Sequence, residues 1–323
     1  RSSAHKWLLV TCFGCLGYKN ARFGRIEAHE AVTAYGREAL LRAKEAAEDL
    51  GYQVLHMYVD GLWVQKEGAS KAADFQPLLE EILDRTGLPI SLDGVYRWIA
   101  FLSSRPDPRV PVANRYFGLF QNGTWKVRGI EVRRDDTSCW VKNIQLEMLN
   151  FLADAPDAGK LSEQLPRIHS LLQTRLAALR EHKIPLVELL VSQKLSRTLE
   201  EYKVLSPAAR AAAQLQKIDK NLIPGQRVRF LYTRGKPGVY AWDLPKRPDS
   251  GMIDTDRYAE LLCRAAFTIL QPLGVEEQTL RWWMFTNAGY GAPPGFLPDS
   301  CSQEIPLLGD LFLSSSYPDP VIF

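Results

Sequence analysis

No apolar run in this chain of 323 residues reaches the roughly 18–20 residues that a membrane-spanning helix needs, which excludes a helical membrane protein. Cysteine is sparse. Five residues, an odd count with no repeated spacing, exclude a disulfide framework and fit a reducing cytoplasm. Cys12 and Cys15 form a C-x-x-C. Neither a second pair nor a His follows at zinc-ligand spacing, so structural zinc is not expected. Internal repeats are absent. The chain begins at Arg1, with no initiator Met and no signal peptide, which suggests a fragment, a processed chain or a trimmed one.

Net charge is also low, at +3, but it is unevenly spread. Lys160 to Arg247 hold 17 Lys+Arg against 7 Asp+Glu, a surplus of 10, while the other residues hold 23 basic and 30 acidic side chains. A basic segment on a nearly neutral chain is the footprint of a polyanion-binding module, or else a set of solvated helix faces. Hydrophobic residues at 46% and charged residues at 24% fit a globular protein long enough for two or three domains.

Helical spacing predicts a helix over Ser2–Gly17 and a long one over Ala28–Leu50, rich in Ala, Glu, Arg and Leu. Gly51 is placed to stop the second. Gln53–Met57 and Leu62–Val64 read as strands joined by an Asp60-Gly61 hairpin turn. Lys71–Arg85 reads as a helix, Tyr96–Leu102, Tyr116–Phe120 and Trp125–Val132 as strands, and Ser138–Leu152 as a helix. Pro156-Asp157-Ala158-Gly159 is the best linker candidate. Beyond it come helices at Leu161–His182 and Ser206–Gln216, strands at Val228–Tyr232 and Val239–Trp242, and a final helix at Asp256–Gln271. The Pro-, Gly- and Ser-rich tail after Asn287 predicts no regular structure, and Trp242, Trp282 and Trp283 are expected in the core.

Asp60 is the candidate chemical group. A carboxylate at a hairpin tip projects from rigid strands, and metal-assisted phosphoryl transfer uses carboxylates held this way to bind two Mg²⁺ ions. Asp-Gly is equally the commonest way to build such a turn, so the turn alone does not decide. The flanking residues do. Gly51-Tyr-Gln-Val-Leu-His-Met-Tyr-Val-Asp60-Gly-Leu62 resembles, without a gap, the palm stretch of family B DNA polymerases around L-Y-x-D-T-D-G/S-L. Leu55, Asp60, Gly61 and Leu62 match. His56 stands for the family's Tyr, Tyr58 for its first Asp and Val59 for its Thr. Placing Asp60 on the first Asp instead breaks the Gly-Leu register. Asp60 is then implied to be the carboxylate that ligands both metals.

Lys6-Trp-Leu-Leu-Val-Thr-Cys-Phe-Gly14 is similar to the fingers motif K-x-x-x-N-S-x-Y-G. Lys6 is implied to meet the triphosphate of an incoming dNTP, Phe13 to replace the Tyr beneath the nascent base pair, and Thr11 the Ser; Val10 replaces the Asn. Gly17-Tyr18, Ala21-Arg22 and Thr33–Arg37 continue the resemblance. Arg115-Tyr116-Phe117-Gly118 and Lys126–Asp135 look like K-K-R-Y and R-G-x-E-x-R-R-D, which implies primer contacts by Arg115, Tyr116, Lys126 and Arg128. Ala113 and Asn114 replace the two lysines. Val191–Tyr202, Ser206–Ala212, Pro224–Tyr232 and Asp254–Tyr258 follow the thumb's order, with Lys194 and Arg197 as implied DNA contacts.

The resemblance covers most of residues 1–270. It implies an α+β fold, a palm of antiparallel sheet and helices followed by a mainly helical thumb. The divisions expected are fingers 1–24, palm 25–155, and thumb with tail 156–323. It also implies DNA-directed polymerisation with primer-template DNA, dNTP and Mg²⁺. The family's first metal-binding motif lies upstream of Lys6, so this chain alone should be inactive. An N-terminal polymerase portion, in the same parent chain or a separate subunit, should complete it. Leu308–Phe312 ends in D-L-F, as clamp-binding peptides do, which makes a sliding clamp a further candidate partner. No membrane partner is expected, and the location should be cytoplasmic and nucleoid-associated. A degenerate polymerase kept as a DNA-binding scaffold is the competing reading, motivated by Val10, Tyr58, Ala113 and Asn114.

Overall fold

The computed structural model describes residues 2–104, 110–286, 289–291 and 321–322. The chain is α+β and divides into two compact units, residues 1–97 with 316–323, and residues 98–315.

In the first unit, α1 (Ser2–Leu16) leads into α2 (Ile26–Asp49). Gly51, at φ 76°, ends α2 as its sequence position predicts. The amide of Gly51 donates to Glu48 O at 2.9 Å and that of Tyr52 to Ala47 O at 2.8 Å, which satisfies two of the carbonyls a helix end leaves open. Tyr52 is thereby carried into a core with Ala43, Ala46, Ala47, Leu62, Val64, Phe75, Leu78 and Ile82. Strands β1 (Gln53–Tyr58) and β2 (Gly61–Gln65) pair antiparallel. A 3₁₀ turn at Ala72–Phe75 and α3 (Gln76–Thr86) occupy the expected helix. α3 is closed by Gly87 at φ 68°. Strand β3 (Gly94–Ser103) starts in this unit, and β9 (Val321–Ile322) pairs with both its first residues and β2.

In the second unit, β3 continues beside β4 (Pro111–Phe120) and β5 (Trp125–Arg128), in that order. The expected strand Trp125–Val132 stops at Arg128, and Glu131–Arg133 form a 3₁₀ turn. Helices α4 (Cys139–Ala153) and α5 (Leu165–Arg180) follow, then a sheet of β6 (Val191–Lys194), β7 (Arg227–Tyr232) and β8 (Val239–Ala241). Helix α6 (Pro207–Gln216) is capped by Ser206, whose Oγ accepts from Ala209 N at 3.2 Å. Helix α7 (Thr255–Leu270) is capped by Asp254, which accepts from Arg257 N at 2.9 Å. Both caps satisfy a first-turn amide. A helix not foreseen, α8 (Glu277–Phe285), packs Leu280, Trp283 and Met284 into the core. Of the other tryptophans expected inside, Trp242 and Trp282 lie at its edge.

The linker reading of Pro156–Gly159 needs correction. Asp157 accepts from Lys160 N at 3.2 Å and opens a 3₁₀ turn. Ala155 and Leu161 are both buried in a core that runs from Trp98 to Met284. The compact units divide at 97/98. Among the described residues no helix is long and apolar enough to cross a membrane.

Candidate functional site

The hairpin carrying Asp60 exists, but its turn is shifted by one residue from the expected Asp60-Gly61. Tyr58 pairs with Gly61 and Met57 with Leu62, so the two turn residues are Val59 and Asp60. Gly61 is the first residue of β2, and a side chain there would come within 3.2 Å of the Trp63 ring. Val59 has φ 53°, an outlier for a β-branched residue. Such backbone strain persists where surrounding structure over-determines it, and it clusters at functional sites. Here the paired strands on both sides fix the turn.

Asp60 is exposed and makes no hydrogen bond or ion pair among the described residues. It stands at the rim of an open cavity of about 470 Å³ that is lined mainly by carbon, from Gly36 and Leu40 of α2, Val59, Leu62 and Ile82. This is a rigidly placed, uncommitted carboxylate beside an apolar depression. Among the described residues no three His, Cys, Asp or Glu side chains gather as a metal site. The Asp60 carboxylate offers the oxygen donors that Mg²⁺ takes, and the described residues do not complete a two-metal centre.

Lys6, Thr11 and Phe13 all lie on α1. Lys6 is exposed and is not among the residues lining the cavity beside Asp60. Thr11 Oγ1 donates back to Trp7 O at 2.8 Å, so its hydroxyl is spent on its own helix. The Phe13 ring stacks on His29 of α2, with centroids 4.1 Å apart, and His29 Nδ1 lies 3.1 Å from Phe13 O. His29, which the sequence reading overlooked, thus anchors the end of α1. Trp7, Leu8, Leu9 and Val10 remain exposed.

On the β4–β5 hairpin, Tyr116 lies opposite Arg128 and Gly118 opposite Lys126. Directly opposed residues share a face, so Lys126 and Arg128 flank Tyr116 on one side of the sheet. Phe117 and Leu119 fill the core on the other. Arg128 is exposed, whereas Tyr116 is buried with its ring against Phe101. Tyr116 therefore shapes the sheet and leaves the accessible contacts to its basic neighbours. Arg115 alternates to the opposite side, where its Nε donates to Gly129 O at 3.1 Å. Gly129 is at φ 65°, and a Cβ there would lie 2.2 Å from Asn114 O, so only glycine permits this approach.

Lys194 of β6 is paired across the sheet with Arg227 of β7. Together with Ser192, Gln193 and the Arg134–Asp136 segment they line an open cleft of about 410 Å³. Arg227 is ion-paired with Asp135. Arg134 grips Asp136 through two bonds of 2.8 and 2.9 Å, which hold the Asp136 carboxyl below the usual carboxylate range. Lys194 and Arg197 are both exposed, and the Lys194 side chain makes no hydrogen bond or ion pair among the described residues. The sequence reading singled out Lys194 but not Arg227, its partner across the sheet. The strand pattern Arg227-Val-Arg229-Phe, with Val228 and Phe230 buried, was the available signal. Leu308–Phe312 lies outside the described residues.

The description "DNA polymerase family B" belongs to the family whose model matches residues 113–273. DNA polymerase 2 of Aeropyrum pernix is 26% identical over 283 residues, 87% of this chain and 33% of that protein. DNA polymerase 2 of Saccharolobus solfataricus is 38% identical over 130 residues, 40% of this chain and 19% of that one. The solved structure of the family B DNA polymerase from Pyrobaculum calidifontis aligns with a TM-score of 0.56 and 26% identity, covering 82% of this chain and 32% of that one. The chain thus spans about a third or less of the length of the relatives it matches.

Proposed function

Because the chain belongs to DNA polymerase family B, we propose that it is the part of a DNA-directed DNA polymerase that holds primer-template DNA and contributes one carboxylate to nucleotidyl transfer. The reaction would join a dNTP to a primer 3′-OH. The observation that carries this reading is Asp60. It is an uncommitted carboxylate on a two-residue turn whose strained neighbour is held by paired strands, in register with the family's carboxylate motif.

In this reading residues 1–24 end the fingers, 25–155 form the rear half of the palm, and 156–323 form the thumb and tail. Lys6 would neutralise triphosphate charge, as a point charge on a flexible stem does. Phe13, already stacked on His29, would present its free face to the nascent base pair. Thr11, whose hydroxyl proton is bonded within α1, would offer only its oxygen, as an acceptor, from the same helix. Arg115, Lys126, Arg128, Lys194 and Arg197 would take backbone phosphates, which positions a duplex without reading its sequence. Mg²⁺ would supply charge neutralisation at the reacting phosphate, with Asp60 as one ligand and the remaining ligands from an N-terminal polymerase portion.

A second reading has its own support. Tyr58 occupies the position where the family carries another carboxylate, and it is exposed beside Val59 and Asp60. That loss favours a polymerase-like scaffold that binds DNA without extending it.

Binding is tested by titrating a fluorescent primer-template with the chain at several salt concentrations. The dissociation constant should rise steeply with salt, and Lys194→Ala with Arg197→Ala should lower the log–log slope by about 2. No binding at low salt would remove both readings. A primer-extension assay on the complete protein separates them, because the scaffold yields no dNTP-dependent product.

A further inference from the structure

Arg115 is the outermost member of a polar network that runs into the core of the second unit. Gln145 of α4 is fully buried. Its Oε1 accepts from Val132 N at 2.7 Å, and its Nε2 donates to Ala265 O of α7 and to Glu131 Oε2, both at 2.9 Å. Thr268 Oγ1 of α7 lies 3.2 Å from Glu131 Oε1 and 3.0 Å from Arg264 O. The same Glu131 oxygen lies 3.8 Å from Arg115 Nη2. The Glu131 side chain is 19% exposed and that of Arg115 is 34% exposed, so the network ends in a guanidinium at the surface.

A free arginine side chain samples many rotamers, and ordering it on contact with a ligand costs entropy. Here the stem is laid against Gly129, Nε is committed to Gly129 O, and Nη2 is drawn toward a carboxylate. That carboxylate is itself fixed by α4 and α7. Among the described residues the remaining N–H groups meet no acceptor, which leaves them for an outside one, in the fork that suits a phosphate oxygen.

We propose that Glu131 is a positioning residue that pre-orients Arg115 for a backbone phosphate of the primer-template duplex. The inference rests on the DNA-holding role proposed above. Glu131 spends negative charge next to a DNA-facing cation, which simple charge optimisation would avoid. The return is a guanidinium ordered before DNA arrives.

The test is primer-template binding by fluorescence anisotropy, with wild type, Glu131→Gln, Arg115→Ala and the double variant, at fixed salt. Gln is nearly isosteric and keeps an oxygen for the Gln145 donor, so thermal melting should move little. Glu131→Gln is expected to weaken binding by about 3- to 10-fold, and to add less than about 2-fold in the Arg115→Ala background, because coupled residues are not additive. Arg115→Lys, which keeps the charge and loses the fork, checks the same idea from the surface and should bind more weakly than wild type. Unchanged or tighter binding by Glu131→Gln overturns the proposal. So do equal losses in both backgrounds, and so does wild-type binding by Arg115→Lys. Absence of binding by wild type at low salt would overturn the DNA-holding role together with this inference, whereas the other outcomes leave that role standing.

Discussion

Replacing Gln145 by Met removes a fully buried amide and little else. Met is close to Gln in length and volume, so packing is kept. The polar losses can be counted. Val132 N–H loses the acceptor it meets at 2.7 Å, and Glu131 loses a donor at 2.9 Å. Ala265 O loses its donor from Gln145 but sits within α7, where the helix offers it another partner. An unsatisfied buried amide costs ~1–3 kcal/mol, and a hydrogen bond to a charged group contributes ~1.5–3 kcal/mol. Their sum is about 4 kcal/mol by the same figures. For a unit of this size each kcal/mol moves the midpoint by ~2–4 °C, so the transition should fall by roughly 10 °C. Melting of the whole chain followed by circular dichroism reads this directly. Gln145→Glu should melt lower still at neutral pH, because it sets a second carboxylate against Glu131. A Gln145→Met midpoint within about 2 °C of wild type, under the same scaling, would refute the claim that the buried amide holds this turn against α4 and α7.

Two further outcomes are expected. Cys263 is buried on α7, and burial pushes its thiol up to about 11. Iodoacetamide at pH 8 should therefore alkylate the exposed Cys12, Cys15 and Cys139 and spare Cys263 until the chain is unfolded, as peptide mapping would show. The Asp136 carboxyl is held low first by its hydrogen bonds to Arg134. A depressed carboxylate contributes stability that is complete above its unfolded pKa of about 4 and is lost as pH falls through the folded value. Both side chains are substantially exposed, at 57% and 35%, so the contribution is at most about 1 kcal/mol. Asp136→Asn should slightly lower the melting temperature at pH 7 and flatten its fall below pH ~4; an unchanged slope contradicts the assignment.

Local chemistry made much of the fold legible. Gly51 is read as a helix stop because only a residue at ease with positive φ closes α2 in this way. The Asp60 hairpin is visible in its apolar strands, yet its turn is displaced. Propensity favours Asp-Gly in such turns and gives no reason to expect valine at φ 53°. Pro156–Gly159 has a linker's composition, but Asp157 turns the chain locally and both flanks drop into one core. Helix α8 was readable from Leu280, Trp283 and Met284 at i, i+3 and i+4; the aromatic pair was read as core without asking what element carried it. The two-residue β9 holds too little pattern to see. Among the candidate site residues, Asp60, Lys194 and Arg128 are exposed. The Glu131–Gln145–Thr268 network joins positions 14 and 137 residues from Glu131. Such long-range pairing leaves no trace in local spacing.

The most direct test of the proposed function is primer extension by the complete protein carrying Asp60→Ala. Asp60 is exposed and makes no hydrogen bond or ion pair among the described residues, so the variant should fold and bind primer-template as wild type does. If Asp60 supplies a metal-binding carboxylate, dNTP-dependent extension is lost while DNA binding persists. Extension at the wild-type rate would show that the reaction does not depend on this hairpin and would contradict the role assigned to it.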